Sequence, residues 1–213
     1  MALLGFYGGT FDPIHQGHLQ LALYVQQHCQ LEQLQLLPCH LPPHRAHPGV
    51  SSEHRAAMVE LAIAPYPALT LNKLELGKQS PSYTVETLEI LRSQYPNDTL
   101  CFVIGMDSLC AFTRWHRYQD ILSLCHLLVC QRPGYAENAE ATMLLQSYGA
   151  QNIQELQSQQ AGKILLLQNP LFDISASQIR AGLQQNEPQQ TPSPALQIPA
   201  VMAYIQQHGL YQV

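Results

Sequence analysis

Positive charge is scarce in this chain. Its 213 residues carry 10 lysines and arginines against 15 aspartates and glutamates, a formal net charge of −5, and only 12% of the residues are charged. A protein that holds nucleic acid neutralises phosphates with a clustered basic face, so no polynucleotide partner is expected. Long apolar runs are missing as well: nothing approaches the roughly 20 residues of a membrane-spanning helix. No basic segment precedes the apolar start of the chain and no small-residue cleavage site follows it. The six cysteines, Cys29, Cys39, Cys101, Cys110, Cys125 and Cys130, show no Cys-x-x-Cys spacing, and several sit in apolar runs where cysteine acts as a small hydrophobe. Reduced thiols and a cytoplasmic location are the expectation. Repeats and charge runs are absent, and the glutamine-rich stretches 151–160 and 184–197 read as solvated linkers or helix faces. The length suits one domain, residues 1–213.

What is present is concentrated near the start. The apolar run Leu3-Leu4-Gly5-Phe6-Tyr7 is followed by Gly8-Gly9-Thr10-Phe11-Asp12-Pro13-Ile14-His15-Gln16-Gly17-His18. The run reads as a buried parallel strand, and the glycines let backbone approach an anion closely. Pro13 favours opening a helix there, with Asp12 where a cap belongs. The first N–H groups of a helix lack internal partners, and the positive end of its dipole attracts phosphate. His15 and His18, three apart, can share one face of that first turn. Two imidazoles beside a backbone anion nest suggest phosphoryl chemistry. A simple tight turn and a zinc half-site are the competing readings, but zinc needs three or four ligands. The glycines are followed by neither the Gly-Lys-Ser/Thr of a Walker loop nor the three spaced glycines of the dinucleotide fingerprint.

The segment Thr10-Phe11-Asp12-Pro13 with His15-Gln16-Gly17-His18 resembles the His-x-Gly-His signature of the nucleotidyltransferase superfamily, which includes the class I aminoacyl-tRNA synthetases. Ile174-Ser175-Ala176-Ser177-Gln178-Ile179-Arg180 is similar to its C-terminal Ile-Ser-x-Thr/Ser-x-x-Arg signature, with Ser177 in place of the more usual threonine. Read on chemistry alone, Ser175 and Ser177 can cap a helix while offering hydroxyls to phosphate, and Arg180 adds a permanent charge with a planar donor fork. An ordinary capped surface helix is the alternative.

Further segments resemble bacterial nicotinate-nucleotide adenylyltransferases. Pro42-Pro43-His44-Arg45 is similar to that family's Pro-Pro-His-Lys/Arg loop, which covers the mononucleotide; Ile104-Gly105-Met106-Asp107-Ser108-Leu109, Ser80-Pro81-Ser82-Tyr83-Thr84, Thr113-Arg114-Trp115-His116-Arg117-Tyr118 and Arg132-Pro133-Gly134 match others. The resemblance implies ATP contacts at Gly8, Gly9, Thr10, Phe11, His15, His18, Gly105, Asp107, Ser175, Ser177 and Arg180. It implies mononucleotide contacts at His44, Arg45, Thr84, Trp115, Tyr118 and Arg132, with the aromatic ring stacked on the pyridine. By residue chemistry Asp107 suits ribose hydroxyls or helix capping. Trp115, the lone tryptophan, is set among Arg114, His116 and Arg117, too polar a place for a core anchor. Arg45, Arg114, Arg117, Arg132 and Arg180 place the few cations in or near ligand segments. Cys39, His40, His44 and His47 are metal-like in type but lie in a proline-rich stretch that fixes no tetrahedral geometry, so no protein metal site is expected.

Strands are predicted at Leu3–Tyr7, Leu34–Pro38, Leu69–Leu74, Leu100–Gly105, His126–Cys130 and Lys163–Leu167, alternating with helices at His18–His28, Ser52–Ala64, Thr84–Gln94, Ala139–Tyr148, Ser177–Leu183 and Ala195–His208, with Gly209 as terminal cap. Such alternation argues for an α/β fold, a doubly wound, Rossmann-like parallel sheet with C-terminal helices. Ligands bind at the carboxyl ends of such strands near the strand-order reversal, where every motif falls. The implied reaction joins ATP and nicotinate mononucleotide into nicotinate adenine dinucleotide and pyrophosphate. The same resemblance implies that catalysis rests on His15, His18 and Arg180, and magnesium is expected to be carried by the ATP phosphates. Another nucleotidyltransferase, acting on nicotinamide mononucleotide or phosphopantetheine, and a non-catalytic nucleotide sensor remain as alternatives.

Overall fold

The computed structural model describes residues 2–40, 49–77, 82–185 and 197–212. Seven strands form one parallel sheet: β1 (Leu3–Gly9), β2 (Gln33–Pro38), β3 (Leu69–Leu71), β4 (Thr99–Gly105), β5 (His126–Cys130), β6 (Gly149–Ala150) and β7 (Ile164–Leu167), in the order β3-β2-β1-β4-β5-β7-β6. The helices are α1 (Gln16–His28), α2 (Ser52–Ile63), α3 (Thr84–Gln94), α4 (Met106–Leu109), α5 (Tyr118–Leu124), α6 (Ala139–Tyr148), α7 (Ile153–Gln157), α8 (Ala176–Gln185) and α9 (Pro199–Gln207), with a 3-10 turn at Phe112–Arg114.

Strand side chains alternate between two cores, so a chain with continuous apolar runs covers both faces of its sheet. Leu3, Leu34, Leu36, Cys101, Val103, Leu128 and Cys130 pack with α1, α2 and α9 on one face. Leu4, Phe6, Leu37, Leu100, Phe102, Ile104, Leu127 and Val129 pack with α3, α5 and α6 on the other. The doubly wound, Rossmann-like sheet is as expected. All six cysteines are free, and burial pushes the Cys29 and Cys125 thiols up to about 12. No helix among the described residues is long and apolar enough to cross a membrane.

Several boundaries differ from expectation for local reasons. Gly8 and Gly9 lie within β1, paired with Leu37 and Pro38, instead of beginning a loop. Pro13 does not open α1: the helix starts at Gln16, His15 takes the N-cap position without a side-chain cap bond, and Asp12 caps nothing. Strand β3 stops at Leu71 because the Asn72 side chain bonds Gln35 and the Leu74 N–H, turning the chain away. The short elements β6, α4, α5, α7 and the 3-10 turn were not expected; each is too brief to show a period. Helix α9 begins at Pro199, with Ile198 at its N-cap, and not at the expected Ala195, which lies outside the described residues; Gly209 follows it at φ +59° as the left-handed cap predicted.

His126 opens β5 fully buried. Its Nδ1 accepts the Lys163 N–H at 3.0 Å and its Nε2 donates to the Gln159 carbonyl at 3.0 Å, so only the neutral ring satisfies both. Burial accordingly lowers its pKa. The unfolded chain takes up that proton near 6.5 and the folded chain does not, so this contribution is full above that pH and is lost as pH falls below it. Urea midpoints should drop less between pH 7.5 and 5.5 in His126→Gln than in the parent; equal drops would remove His126 as a source of acid sensitivity.

Candidate active site

The site lies where β1 and β4 adjoin and their connections leave in opposite directions. At the end of β1, Phe11 adopts φ +48° and folds back, so that a Cβ on Gly9 would lie 2.8 Å from its ring. Only glycine fits beneath that ring. Phe11 is itself buried, meeting Tyr7 edge-on at 5.5 Å and His18 at 5.2 Å between ring centres. His15 and His18 stack at 3.8 Å with an interplanar angle of 29° at the N-terminus of α1. Burial, with the Arg132 charge adding to it, pushes the His15 pKa down to about 4, and its buried Nδ1 has no hydrogen-bond partner in the protein.

The second motif closes on the first. A Cβ on Gly17 would stand 2.9 Å from Ile174 Cγ2. The Ser175 hydroxyl accepts the Gln178 N–H and caps α8, while Ser177 stands in the first turn and accepts from Arg180 Nη2 at 3.3 Å. Arg180 Nη1 donates to the Asp12 carbonyl at 2.6 Å. Across the crevice, Gly105 ends β4, and Asp107 Oδ2 takes Arg132 Nη1 at 2.8 Å, leaving the buried Oδ1 without a partner. A Cβ on Gly105 would be 2.9 Å from Arg132 Cδ and would also meet Asp107 Oδ1. Asp107 thus binds Arg132 and does not cap α4.

Thr84 is the first residue of α3, and Tyr83 before it meets His116 at 4.8 Å between ring centres. That contact brings the 82–84 segment to the turn carrying Trp115, which packs on Phe112 at 5.5 Å and leaves part of its ring exposed. The Tyr118 ring meets Phe112 edge-on. Arg117 turns away, its guanidinium taken by Asp120 at 2.6 Å and Glu89 at 2.8 Å, and Arg114 is exposed. His44, Arg45 and His47 lie outside the described residues; His40 Nδ1 lies 3.0 Å from the Ser52 hydroxyl.

Two supporting residues escaped sequence reasoning. Arg55 is 1% exposed and donates to the Thr10 carbonyl at 2.7 Å and the His40 carbonyl at 3.2 Å, tying together the chain after β1 and after β2. Its signal was present: it shares the apolar stripe of α2 with Val59 and Ala62, where a solvated arginine would not stand. Glu140 Oε1 takes the Thr113 N–H at 3.0 Å and the Thr113 hydroxyl, holding the turn before Trp115; nothing in sequence linked residues 27 apart.

This arrangement is shared with known proteins. Residues 6–182 match the family model described as cytidylyltransferase-like. Over 99% of its length the chain is 46% identical to the probable nicotinate-nucleotide adenylyltransferase of Cronobacter sakazakii, covering 96% of it, and 44% identical to that of Pectobacterium atrosepticum, covering 99%. The chain belongs to the nicotinate-nucleotide adenylyltransferase family. Its fold is also that of a Plasmodium falciparum nicotinic acid mononucleotide adenylyltransferase solved with NaAD, at TM-score 0.76 and 18% identity over 99% of this chain and 98% of that one. Within this family member the first motif, Arg180 and the Asp107–Arg132 pair stand together at the carboxyl edge of the sheet, and the Trp115 turn packs with the core on the face opposite to that of Phe11 and Ile14.

A neutral imidazole at rest has a measurable consequence. In the ligand-free protein the His15 ring should titrate below pH 5 by NMR, and a triphosphate should raise the midpoint, since an anion favours the charged ring. A midpoint near 6.5 without ligand would contradict the burial of His15.

Proposed function

We propose that this protein transfers the adenylyl group of ATP to nicotinate mononucleotide, giving nicotinate adenine dinucleotide and pyrophosphate, as a step of pyridine dinucleotide synthesis. The observation that carries the reading is the stacked His15–His18 pair at the start of α1, with Arg180 bound to the same segment. The family named above supplies the substrates.

The attacking group is a phosphate whose second pKa is about 6, so at neutral pH it is largely a dianion and needs no general base. An oxygen of the mononucleotide phosphate bonds to the α-phosphorus as the bond from that phosphorus to the bridging oxygen breaks, and pyrophosphate departs with the electron pair. Negative charge grows on the equatorial and leaving oxygens, so rate comes from alignment and electrostatic stabilisation. His18 and His15 bond the α- and β-phosphates, the Gly8-Gly9-Thr10 backbone and the start of α1 cradle the chain, and Arg180 with Ser175 and Ser177 holds the departing pyrophosphate. Phe11 supports His18 from below. Gly105 and Asp107 face the nucleotide, Asp107 Oδ1 being a buried acceptor suited to a ribose hydroxyl. Thr84, Trp115 and Tyr118 form the acceptor side, His44 and Arg45, outside the described residues, are assigned to the same substrate, and Arg132 binds a phosphate.

Magnesium fits as part of the substrate. Among the described residues no three His, Cys, Asp or Glu side chains are grouped to hold a metal ion, and the Asp12 and Asp107 carboxylates are engaged by protein donors. The ion would come with the ATP phosphates and would neutralise charge on them, needing few protein ligands. Six free thiols suit a reducing compartment such as the cytoplasm.

Pyrophosphate release from ATP and magnesium should be fast with nicotinate mononucleotide and slow with nicotinamide mononucleotide or phosphopantetheine. Release only with another acceptor would overturn the assigned acceptor, and no release with any would favour a nucleotide sensor. His18→Ala should cut kcat roughly 100-fold or more while changing the dissociation constant of ATP little; an unaltered kcat would take His18 out of the transition state.

A further inference from the structure

One buried polar assembly is left unused by the reaction as described. Its centre is the Asp12 carboxylate, 6% exposed. Oδ1 accepts the Tyr211 hydroxyl at 2.7 Å in a buried bond, and Oδ2 accepts the Gly49 N–H at 2.8 Å. Arg180, already bonded to the Asp12 carbonyl, stands with Nη1 3.7 Å from Oδ2. Four segments far apart in sequence meet on this carboxylate: the first motif, the chain just after residues 41–48, the second motif and the C-terminal end.

The Tyr211 hydroxyl is placed at some cost. Its residue has φ +63°, a left-handed conformation that a non-glycine residue keeps only where its surroundings enforce it. Anchoring the C-terminal segment does not require that oxygen, because Val201, Ile205 and Leu210 bury themselves in the same core and the Tyr211 ring packs beside them. A phenol on a buried carboxylate does have an electrostatic effect. Burial and the bond to Asp12 both raise the Tyr211 pKa, so the hydroxyl stays a donor, and the carboxylate shares its charge between Tyr211 and Gly49. The contact with Arg180 therefore remains longer than a hydrogen bond. Without the phenol, Asp12 would be short of a donor, and the adjacent guanidinium is the nearest strong one described.

We propose that Tyr211 is a positioning residue for the triphosphate site, holding Asp12 so that its carboxylate does not close onto Arg180 and turn that guanidinium from the departing pyrophosphate. The proposal rests on the reading that Arg180 binds the pyrophosphate end of ATP.

Tyr211→Phe in the full chain keeps the buried ring and removes one hydroxyl. It should raise both the KM and the calorimetric Kd for ATP roughly tenfold, the scale of one charge-assisted hydrogen bond, with the KM for nicotinate mononucleotide within about twofold. Asp12→Asn should raise the KM for ATP too, and combining the two should be no worse than Asp12→Asn alone, because the phenol acts through that carboxylate. Wild-type KM and Kd for ATP in Tyr211→Phe would overturn the proposal, as would a lowered Tm unaccompanied by either change, or additive losses in the double variant. If Tyr211→Phe fails to fold, Asp12→Asn decides: an unchanged KM for ATP overturns it. A parent chain that releases no pyrophosphate refutes the adenylyltransferase reading and this proposal with it, whereas an active parent beside an unaltered variant refutes the positioning role alone.

Discussion

The reversal of strand order at β1 is the constraint from which the site follows. β1 pairs with β2 on one side and β4 on the other, both parallel. Right-handed crossovers then carry the chain to opposite faces, so the connections leaving β1 and β4 diverge and open a crevice at their carboxyl ends. The first motif, Gly105 and the Asp107–Arg132 pair stand at that edge. The chain packs tightly there: Gly9 sits under Phe11 and Gly105 beside Asp107 and Arg132, where a Cβ would collide.

Loops at such an edge hold their shape only if something fixes them from beneath, and here buried charge does so. A guanidinium as deeply buried as Arg55 loses several kcal/mol of hydration unless hydrogen bonds replace the water. The Thr10 and His40 carbonyls supply that replacement. Because the carbonyls belong to the chain after β1 and after β2, displacing either loop would strand the charge. Asp12 works from the same floor with opposite sign, and Glu140 does the equivalent under the Trp115 turn. Nonpolar packing sets the sheet; the buried Arg55 and Asp12, and the more exposed Glu140, tie down the loops.

How much was legible in sequence follows from which of these forces acts locally. The ends of β5, α3 and α6 agree with expectation because turn residues and apolar runs mark them within a few positions. The pairing of His15 with His18 was legible from spacing, although His15 stands at the N-cap and not inside the turn. The roles of Asp12 and Arg55 were not. Asp12 resembled a helix cap because a cap is the local use of aspartate before a helix, whereas its partners lie at Gly49 and Tyr211. Arg117 resembled a ligand residue because its neighbours in sequence do, yet Glu89, from another helix, holds it. Long-range polar partners leave no period in a sequence.

The electrostatics of the crevice explain how so acidic a chain can serve a triphosphate. Among the described residues Arg180 and Arg132, two fixed cations there, each stand beside a carboxylate, Asp12 and Asp107. Their net field without ligand is correspondingly weak. The remaining positive character comes from the start of α1, beside a His15 ring that burial holds neutral. Two rings stacked at 3.8 Å resist taking up charge together until an anion lies against them. An anion placed against them would therefore raise the positive charge there, and its departure would lower it. A site of permanent unpaired cations would bind pyrophosphate as strongly after the reaction as during it, while one whose charge is partly induced grips most where negative charge is greatest, in the transition state.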